Sequence, residues 1–329
     1  MSPTSNRIKA FFKEVFSDTK TTSWMMLRIM IPVSIVVKIL KETGAINIIG
    51  DALAPIMKLA GLPGEMGLVW ATGMITNLFG GILAYLNLAN NYPLTVAQIT
   101  VLASMMLVAH TFPIELQVAR KAGVKLIAMF LIRFVFAFIL GALLNLIYSS
   151  LNIFNQVSVI KWRPQLQPDP TIYQWAIGEA KNYLIILLFI FSLIFLVKLL
   201  RELGIIRIIT KIIGPLLRAL SIGEGVSTIT IVGLTLGVVY GGALIIAEAK
   251  NQAISRKDIL FSMVLMGLCH SIIEDTILVV SLGADISGVL IIRFIFALII
   301  TFAFVKIVRR LPERTVGKYL LTKKSPSAT

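Results

Sequence analysis

The chain has 329 residues, 57% hydrophobic and 14% charged, with a mean hydropathy of +0.90. That balance excludes an ordinary soluble globular domain and points to a protein that has lipid as its solvent. The net charge of +15 is not the footprint of a nucleic-acid binder, because Lys and Arg gather at the ends of apolar segments, where they meet headgroups and set orientation.

In chain order, residues 1–22 form a polar, basic segment with no short apolar core ahead of a small-residue cleavage site, so no cleavable signal is expected. Ile8, Phe11, Phe12, Val15 and Phe16 fall at helical spacing beside Lys9, Lys13 and Lys20, which predicts an amphipathic helix lying in the cytoplasmic interface. Trp24–Leu40 reads as a first span with an expected kink at Pro32, and Ile46–Leu59 as a shorter amphipathic helix interrupted by Pro55. After a turn at Gly61–Glu65, Met66–Leu88 reads as a second span loosened by Gly73, Gly80 and Gly81. Val96–Ala109 is short for a crossing and is interrupted at His110–Pro113, which predicts a re-entrant or broken segment. Leu126–Ile147 is a full span with Arg133 inside it.

Residues 150–181 read as a linker, with Trp162, Pro164, Pro168, Pro170, Tyr173 and Trp175 suiting an external interfacial loop. The pattern then repeats at a shift of 160 positions. Gly44, Pro55, Gly73, Gly123, His110 and Arg133 match Gly204, Pro215, Gly233, Gly283, His270 and Arg293, and Ile132–Ala137 matches Ile292–Ala297. Agreement of Pro, Gly, an intramembrane Arg and both histidines in one register marks a duplication. Residues 23–149 are one unit, 182–308 the other, and 309–329 a basic tail.

Charge orients the units. The tail and the N-terminal segment are basic, hence cytoplasmic, while the linker is nearly balanced. Equivalent loops in the two units carry opposite tendencies: Arg120, Lys121 and Lys125 in the first correspond to a stretch of the second whose one charge is Asp285. Two inverted repeats, each with about three spans plus the interrupted segment, are therefore expected. With the interrupted segment as a hairpin, that reading puts Lys250, Arg256 and Lys257 outside, against the charge rule.

The chemistry gathers at two stretches, His110-Thr-Phe-Pro-Ile-Glu115 and His270-Ser-Ile-Ile-Glu-Asp275, which hold the chain's two histidines. Inverted repeats that meet through broken helices build substrate sites near the bilayer midplane, and ionisable groups there are functional by default. His110, Thr111, Glu115, His270, Ser271, Glu274 and Asp275 are the expected substrate- or ion-binding residues, with Asn77 and Glu248 as further polar candidates. Arg133 and Arg293 are expected to form structural ion pairs with Glu115 and Asp275. Two His, several carboxylates and Cys269 are adequate ligands for a divalent metal, but neither His has a His or Cys partner three or four residues away, so the metal question stays open. The lone cysteine excludes an intramolecular disulfide. With no phosphate loop, GxSxG or HExxH, neither an enzyme nor a cofactor beyond a coupling ion or proton is expected.

Leu40-Lys-Glu-Thr-Gly44, Leu53-Ala-Pro55 and Gly61-Leu-Pro-Gly-Glu65 resemble the opening of the nucleoside-recognition, or Gate, membrane domain. Leu200-Arg-Glu-Leu-Gly204, Gly214-Pro215 and Ile222-Gly-Glu224 look like a second, degraded copy. Gate domains occur in concentrative nucleoside transporters, in the membrane part of ferrous-iron transport protein B, and in spore maturation proteins A and B. The resemblance implies an all-α polytopic protein with a transport role. The expectation is a secondary transporter of a small nucleoside-like or other polar solute, coupled to an ion or proton. It would sit in the inner or plasma membrane with both termini cytoplasmic. Its partners would be the lipid bilayer and a small-molecule or ion substrate, with no nucleic acid and with homo-oligomers open. The alternatives are a non-transporting assembly or morphogenesis factor, as the spore proteins allow, and a divalent-metal permease.

Overall fold

The computed structural model describes residues 3–160, 171–220, 223–238, 241–242, 244–246 and 255–322. Among the described residues every named element is a helix, and extended pairing is confined to two isolated bridges, Thr95 with Val157 and Val124 with Leu321. Lipid offers the backbone no hydrogen bonds, so apolar runs of this length satisfy their peptide groups internally as helices. Among the described residues five helical stretches are long and apolar enough to cross a membrane: Phe11–Glu42, Val96–Lys121, Leu126–Leu151, Ile172–Leu200 and Ser287–Arg310. The protein is an all-α polytopic membrane protein.

The helices are α1 (Pro3–Glu42), α2 (Ala45–Leu59), α3 (Met66–Ile75), α4 (Leu78–Leu88), α5 (Val96–Val108), α6 (Phe112–Lys121) and α7 (Leu126–Leu151) in the first unit. The second has α8 (Ile172–Glu202), α9 (Ile205–Ala219), α10 (Glu224–Leu236), α11 (Arg256–Leu268), α12 (Glu274–Val280) and α13 (Ser287–Arg310, with Ser287–Ile292 π-helical), followed by α14 (Glu313–Tyr319). Helices α2 and α9 begin and end 160 residues apart, as do α5 and α11. The left-handed glycines Gly44 and Gly204, and Gly123 and Gly283, repeat with φ values of 73° and 72°, and 98° and 95°. The duplication extends to backbone torsions.

Backbone contacts define two opposite faces. On one, Lys125 N donates to Leu320 O, Thr322 N to Gly123 O, and the Arg256 guanidinium to Thr322 O. On the other, Val96 N donates to Gln156 O, Ala97 N to Phe154 O and Ser158 Oγ to Leu282 O. Helix α7 runs from the first face to the second and α13 runs back. Tyr148, near the end of α7, bonds Ser287, at the start of α13, at 2.9 Å. Phe136 and Phe296, equivalent positions of the two units, meet with ring centroids 6.2 Å apart. The packing is reciprocal: α5 lies against the start of α13, and α11 against α7. The two units therefore pack against each other through equivalent elements. Outward faces are apolar, as lipid contact requires. Along α7 as far as Leu146 the exposed side chains are Ile127, Leu131, Val135, Ile139, Leu143 and Leu146, one every three or four residues.

Three expectations are corrected. Met66–Leu88 is not a span but a hairpin, α3 and α4 turning back on each other at Thr76 and Asn77. Its arms touch because Gly73 and Gly81 lack side chains: a Cβ at Gly81 would lie 3.1 Å from the Gly73 Cα. Both ends stay at one face, where Tyr92 Oη donates to Asn47 Oδ1 at 2.9 Å and Gln98 Nε2 to Gly61 O at 3.0 Å. Gly233 and Gly241 approach each other in the same way in the second unit. Conversely, the interrupted segment is not re-entrant. Helices α5 and α6 together cross from one face to the other, as α11 and α12 do from Arg256 to Gly283 beside Ser158. That exchange brings Arg256 and Lys257 to the face of the C-terminal segment, where Lys257 pairs with Glu313 at 2.5 Å. Lys250 lies outside the described residues.

The third correction concerns the N-terminus. Helix α1 is continuous from Pro3, and its aromatic stripe packs on α8 rather than lying apart in the interface. Phe11 meets Phe195 at 5.7 Å and Phe16 meets Phe191 at 5.6 Å. Lys198 pairs with Glu14 and Asp18, and Ser34 donates to Glu179 at 2.6 Å, so α1 and α8 are antiparallel.

Two outcomes are expected. In a Cys269→Ala background, cysteines at Asn155 and Arg314 label with an impermeant maleimide from opposite sides of the membrane; labelling from one side contradicts the two-face arrangement. Gly81→Val drives a side chain into Gly73 and Met106 and lowers stability by about 1–3 kcal/mol, read as a fall in the thermal midpoint in detergent.

Candidate functional site

In each broken helix a histidine stands two residues beyond the end of the first half. Thr111 and Ser271 follow with φ of 51° and 46°, the left-handed region that stops an α-helix. Thr111 N then donates to Gly73 O at 3.0 Å and Ile272 N to Leu234 O at 2.9 Å, so each hairpin tip closes the break beside it. The carbonyls freed at the break are met by arginine. Arg133 Nε donates to Val108 O at 2.8 Å and Nη2 to His110 O at 3.1 Å, and Arg293 Nη2 donates to His270 O at 3.2 Å.

The two histidines face each other. Their Nε2 atoms are 3.3 Å apart and their ring centroids 4.9 Å apart. His270 Nε2 lies 3.2 Å from Glu115 Oε1, and His110 Nε2 lies 3.8 Å from Glu115 Oε1 and 3.9 Å from Asp275 Oδ2. The ring nitrogens on the far side, Nδ1, sit 2.8 Å from Met106 O and 2.9 Å from Met266 O. His110, His270 and Glu115 are all buried, and their ligand atoms lie within 4.8 Å of one another. Such a grouping can hold a cation, share a proton or bond a polar solute.

Both arginines are buried, but their pairing differs. Arg133 Nη1 forms an ion pair with the second oxygen of Glu115, as expected. Asp275 is the equivalent of Glu115 and one methylene shorter. Among the described residues no ion pair joins it to Arg293, whose Nε and Nη1 have no hydrogen-bond partner. The expected second pair is therefore absent from the described residues, for want of reach.

The remaining candidates are spread around this cluster. Thr111 and Ser271 contribute through backbone conformation, and the Thr111 hydroxyl makes no capping bond. Glu274 opens α12. Its first-unit counterpart, Ile114, is exposed on the surface. The Asn77 oxygen caps α4 by accepting from Gly80 N at 2.9 Å, and its nitrogen faces Met26 Sδ. Asn77 is therefore a hairpin-tip residue. Glu248 lies outside the described residues. Sequence reading missed the carbonyls of Met106, Met266 and Val108. The first two sit four residues before each histidine, the spacing at which a helical carbonyl comes free, and that spacing is the one available signal.

This pairing of a hairpin with a broken helix is found in a stretch that comparison identifies. Residues 23–154 match the Gate family model, described as nucleoside recognition. The Gate match covers the first of the two units and includes His110, Glu115 and Arg133. The chain is also 26% identical over 300 residues to the uncharacterized membrane protein YvoD of Bacillus subtilis (strain 168), covering 90% of this chain and 95% of that one. An alignment of that length takes in both units. No solved structure matches the chain significantly.

Unequal pairing predicts unequal consequences. Arg133→Met strands the buried Glu115 carboxylate and two carbonyls, and is expected to cost about 3–5 kcal/mol, the range for breaking a buried ion pair. Arg293→Met gives up the bond to His270 O but no ion pair among the described residues, and costs less. Thermal unfolding of both variants in detergent checks the order.

Proposed function

We propose that the protein is a plasma-membrane transporter of a small polar or ionic solute, built from two inverted Gate-like repeats and coupled to an ion or proton. The observation that carries this reading is the meeting of two broken helices, each closed by a hairpin tip, at one buried histidine–carboxylate cluster between the two units. Such backbone is stable at membrane depth only where it is buried in protein or lines a cavity, and repeats that meet through it build substrate sites.

Inversion is supported by direction. Helices α7 and α13 are equivalent yet antiparallel, so a crossing outward in one unit corresponds to a crossing inward in the other. Charge supports the orientation. The face of Gly123 and Thr322 carries Arg120, Lys121, Lys125, Arg256, Lys257, Arg314 and Lys318, and the opposite face carries Asp285 and the uncharged stretch 152–160. By the positive-inside rule the basic face is cytoplasmic, together with both chain ends. The Gate match adds the expectation of a solute-recognising membrane domain.

A closed cluster is also compatible with the second reading, a membrane assembly factor that carries nothing. Flux separates the two. A thermal-shift screen of nucleosides, divalent metals and carboxylates selects the solute to assay. Uptake of that solute into proteoliposomes is expected for the native protein and is expected to fall at least about tenfold, some 1.4 kcal/mol, in His110→Ala and His270→Ala. Undiminished flux in both variants removes the cluster from the pathway. Absence of flux for every solute that binds favours the assembly factor.

A further inference from the structure

The histidine cluster holds an arrangement that its own side chains do not satisfy. A carbonyl oxygen only accepts hydrogen bonds, so the Nδ1 atoms that face Met106 O and Met266 O must each carry the hydrogen. In the neutral imidazole the lone pair is then on Nε2, and both Nε2 atoms point into the cluster. They meet each other at 3.3 Å, and Glu115 Oε1 approaches them at 3.2 and 3.8 Å. Asp275 Oδ2, 3.9 Å from His110 Nε2, is buried with no hydrogen-bond partner among the described residues. Three acceptors converge with Asp275 beside them, and among the described residues no donor stands between them.

We infer that His110 Nε2, His270 Nε2 and Glu115 Oε1, with Asp275 as the fourth ligand, form a binding site for a divalent first-row transition-metal cation. Ligand atoms about 2.0–2.1 Å from a tetrahedral metal ion stand roughly 3.3–3.4 Å apart. The two nitrogens have that separation already, and Glu115 has it to one of them. Glu115 needs an adjustment of a fraction of an ångström to reach His110 as well, and the Asp275 side chain has to swing in from further off to complete the set. A metal-bound histidine typically gives its other N–H to a carbonyl or carboxylate, and here both do so in the same way, at carbonyls four residues earlier. Arg133 forms an ion pair with the second oxygen of Glu115 and so orients the first. Two nitrogens with two carboxylate oxygens suit zinc, iron(II), cobalt or manganese better than magnesium or calcium, which select all-oxygen cages. A single proton shared by two of these atoms is the competing explanation, but it leaves Asp275 unpartnered. A multidentate cation serves all four.

This inference concerns the cluster taken above as the solute site, and it assigns the ligand class whether the metal is cargo or coupling ion. The test uses the full chain, purified in detergent without a polyhistidine tag, stripped with chelator and titrated with Co²⁺ and, separately, Zn²⁺. The expected result is one ion per chain, with the visible absorption of four-coordinate cobalt. His110→Gln and His270→Gln should each weaken binding by more than about 100-fold, beyond the roughly 10–100-fold typical of losing a second-shell partner. Asp275→Asn tests the fourth ligand by a smaller loss. Cys269→Ala, which installs the residue of the first unit, should bind as the native chain does. Variants are compared only where their thermal unfolding remains cooperative, and Glu115→Gln supplies a third ligand change should a histidine variant not fold. Absence of stoichiometric binding to folded native protein overturns the inference in favour of a shared proton, and so does binding that survives loss of both histidines. Loss in Cys269→Ala overturns the ligand set. Cobalt binding without flux of any solute leaves the metal site standing and removes the transport reading; histidine-dependent flux without metal binding does the reverse.

Discussion

A helix broken inside a membrane exposes carbonyls that lipid cannot hydrate, and in this protein two buried guanidinium groups answer for them. Arg133 and Arg293 each reach from the last span of a unit to the carbonyl of the histidine at the break. An arginine is costly at that depth, and here its donors are spent on backbone that would otherwise be unsatisfied. The hairpin tip contributes the other half, since Gly73 O and Leu234 O accept the amides just beyond each break. With the break closed from both sides, each histidine ring is held by its own helix and aims its free nitrogen at the other histidine. The placement of the cluster follows from that closure.

The symmetry is close in backbone and loose in chemistry. Gly73 with Gly81 and Gly233 with Gly241 let both hairpins fold on the same terms, and α5 and α11 coincide in extent. Yet Glu115 is answered by Asp275, Asn77 by Gly237, Ile114 by Glu274 and Ala109 by Cys269. The difference of one methylene decides most. Glu115 is long enough to pair with Arg133 through one oxygen and approach both histidines with the other, whereas Asp275 approaches His110 and makes no ion pair with Arg293 among the described residues. A duplicated scaffold thus carries a single asymmetric cluster, and a solute would meet different chemistry from its two sides.

Much of this was legible along the chain. The shift of 160 residues, the paired histidines, the intramembrane arginines and the pairing of Arg133 with Glu115 follow from residue identity and spacing. So do the helix breaks, because Thr-Phe-Pro after His110 and the short apolar run before it leave little alternative. The choice of which segment turns back was not legible. Met66–Leu88 is apolar over a membrane's width, and nothing in its hydropathy distinguishes a crossing from a hairpin; Gly73 meeting Gly81 does. The misfit of Arg256 and Lys257 with the charge rule was the trace of that exchange in the sequence, and it vanishes once α11 and α12 cross.

By itself, then, the sequence determined the solvent, the class, the duplication and the positions of the chemically active residues, since these depend on composition and on spacing along one chain. Only the tertiary structure decided that His110 and His270 oppose each other at 3.3 Å, with both hydrogen-bearing nitrogens turned away towards carbonyls. Residues 160 positions apart meet through helix packing between the units, and glycine contacts, buried guanidinium bonds and side-chain lengths set that distance. None of them is a property of a local stretch.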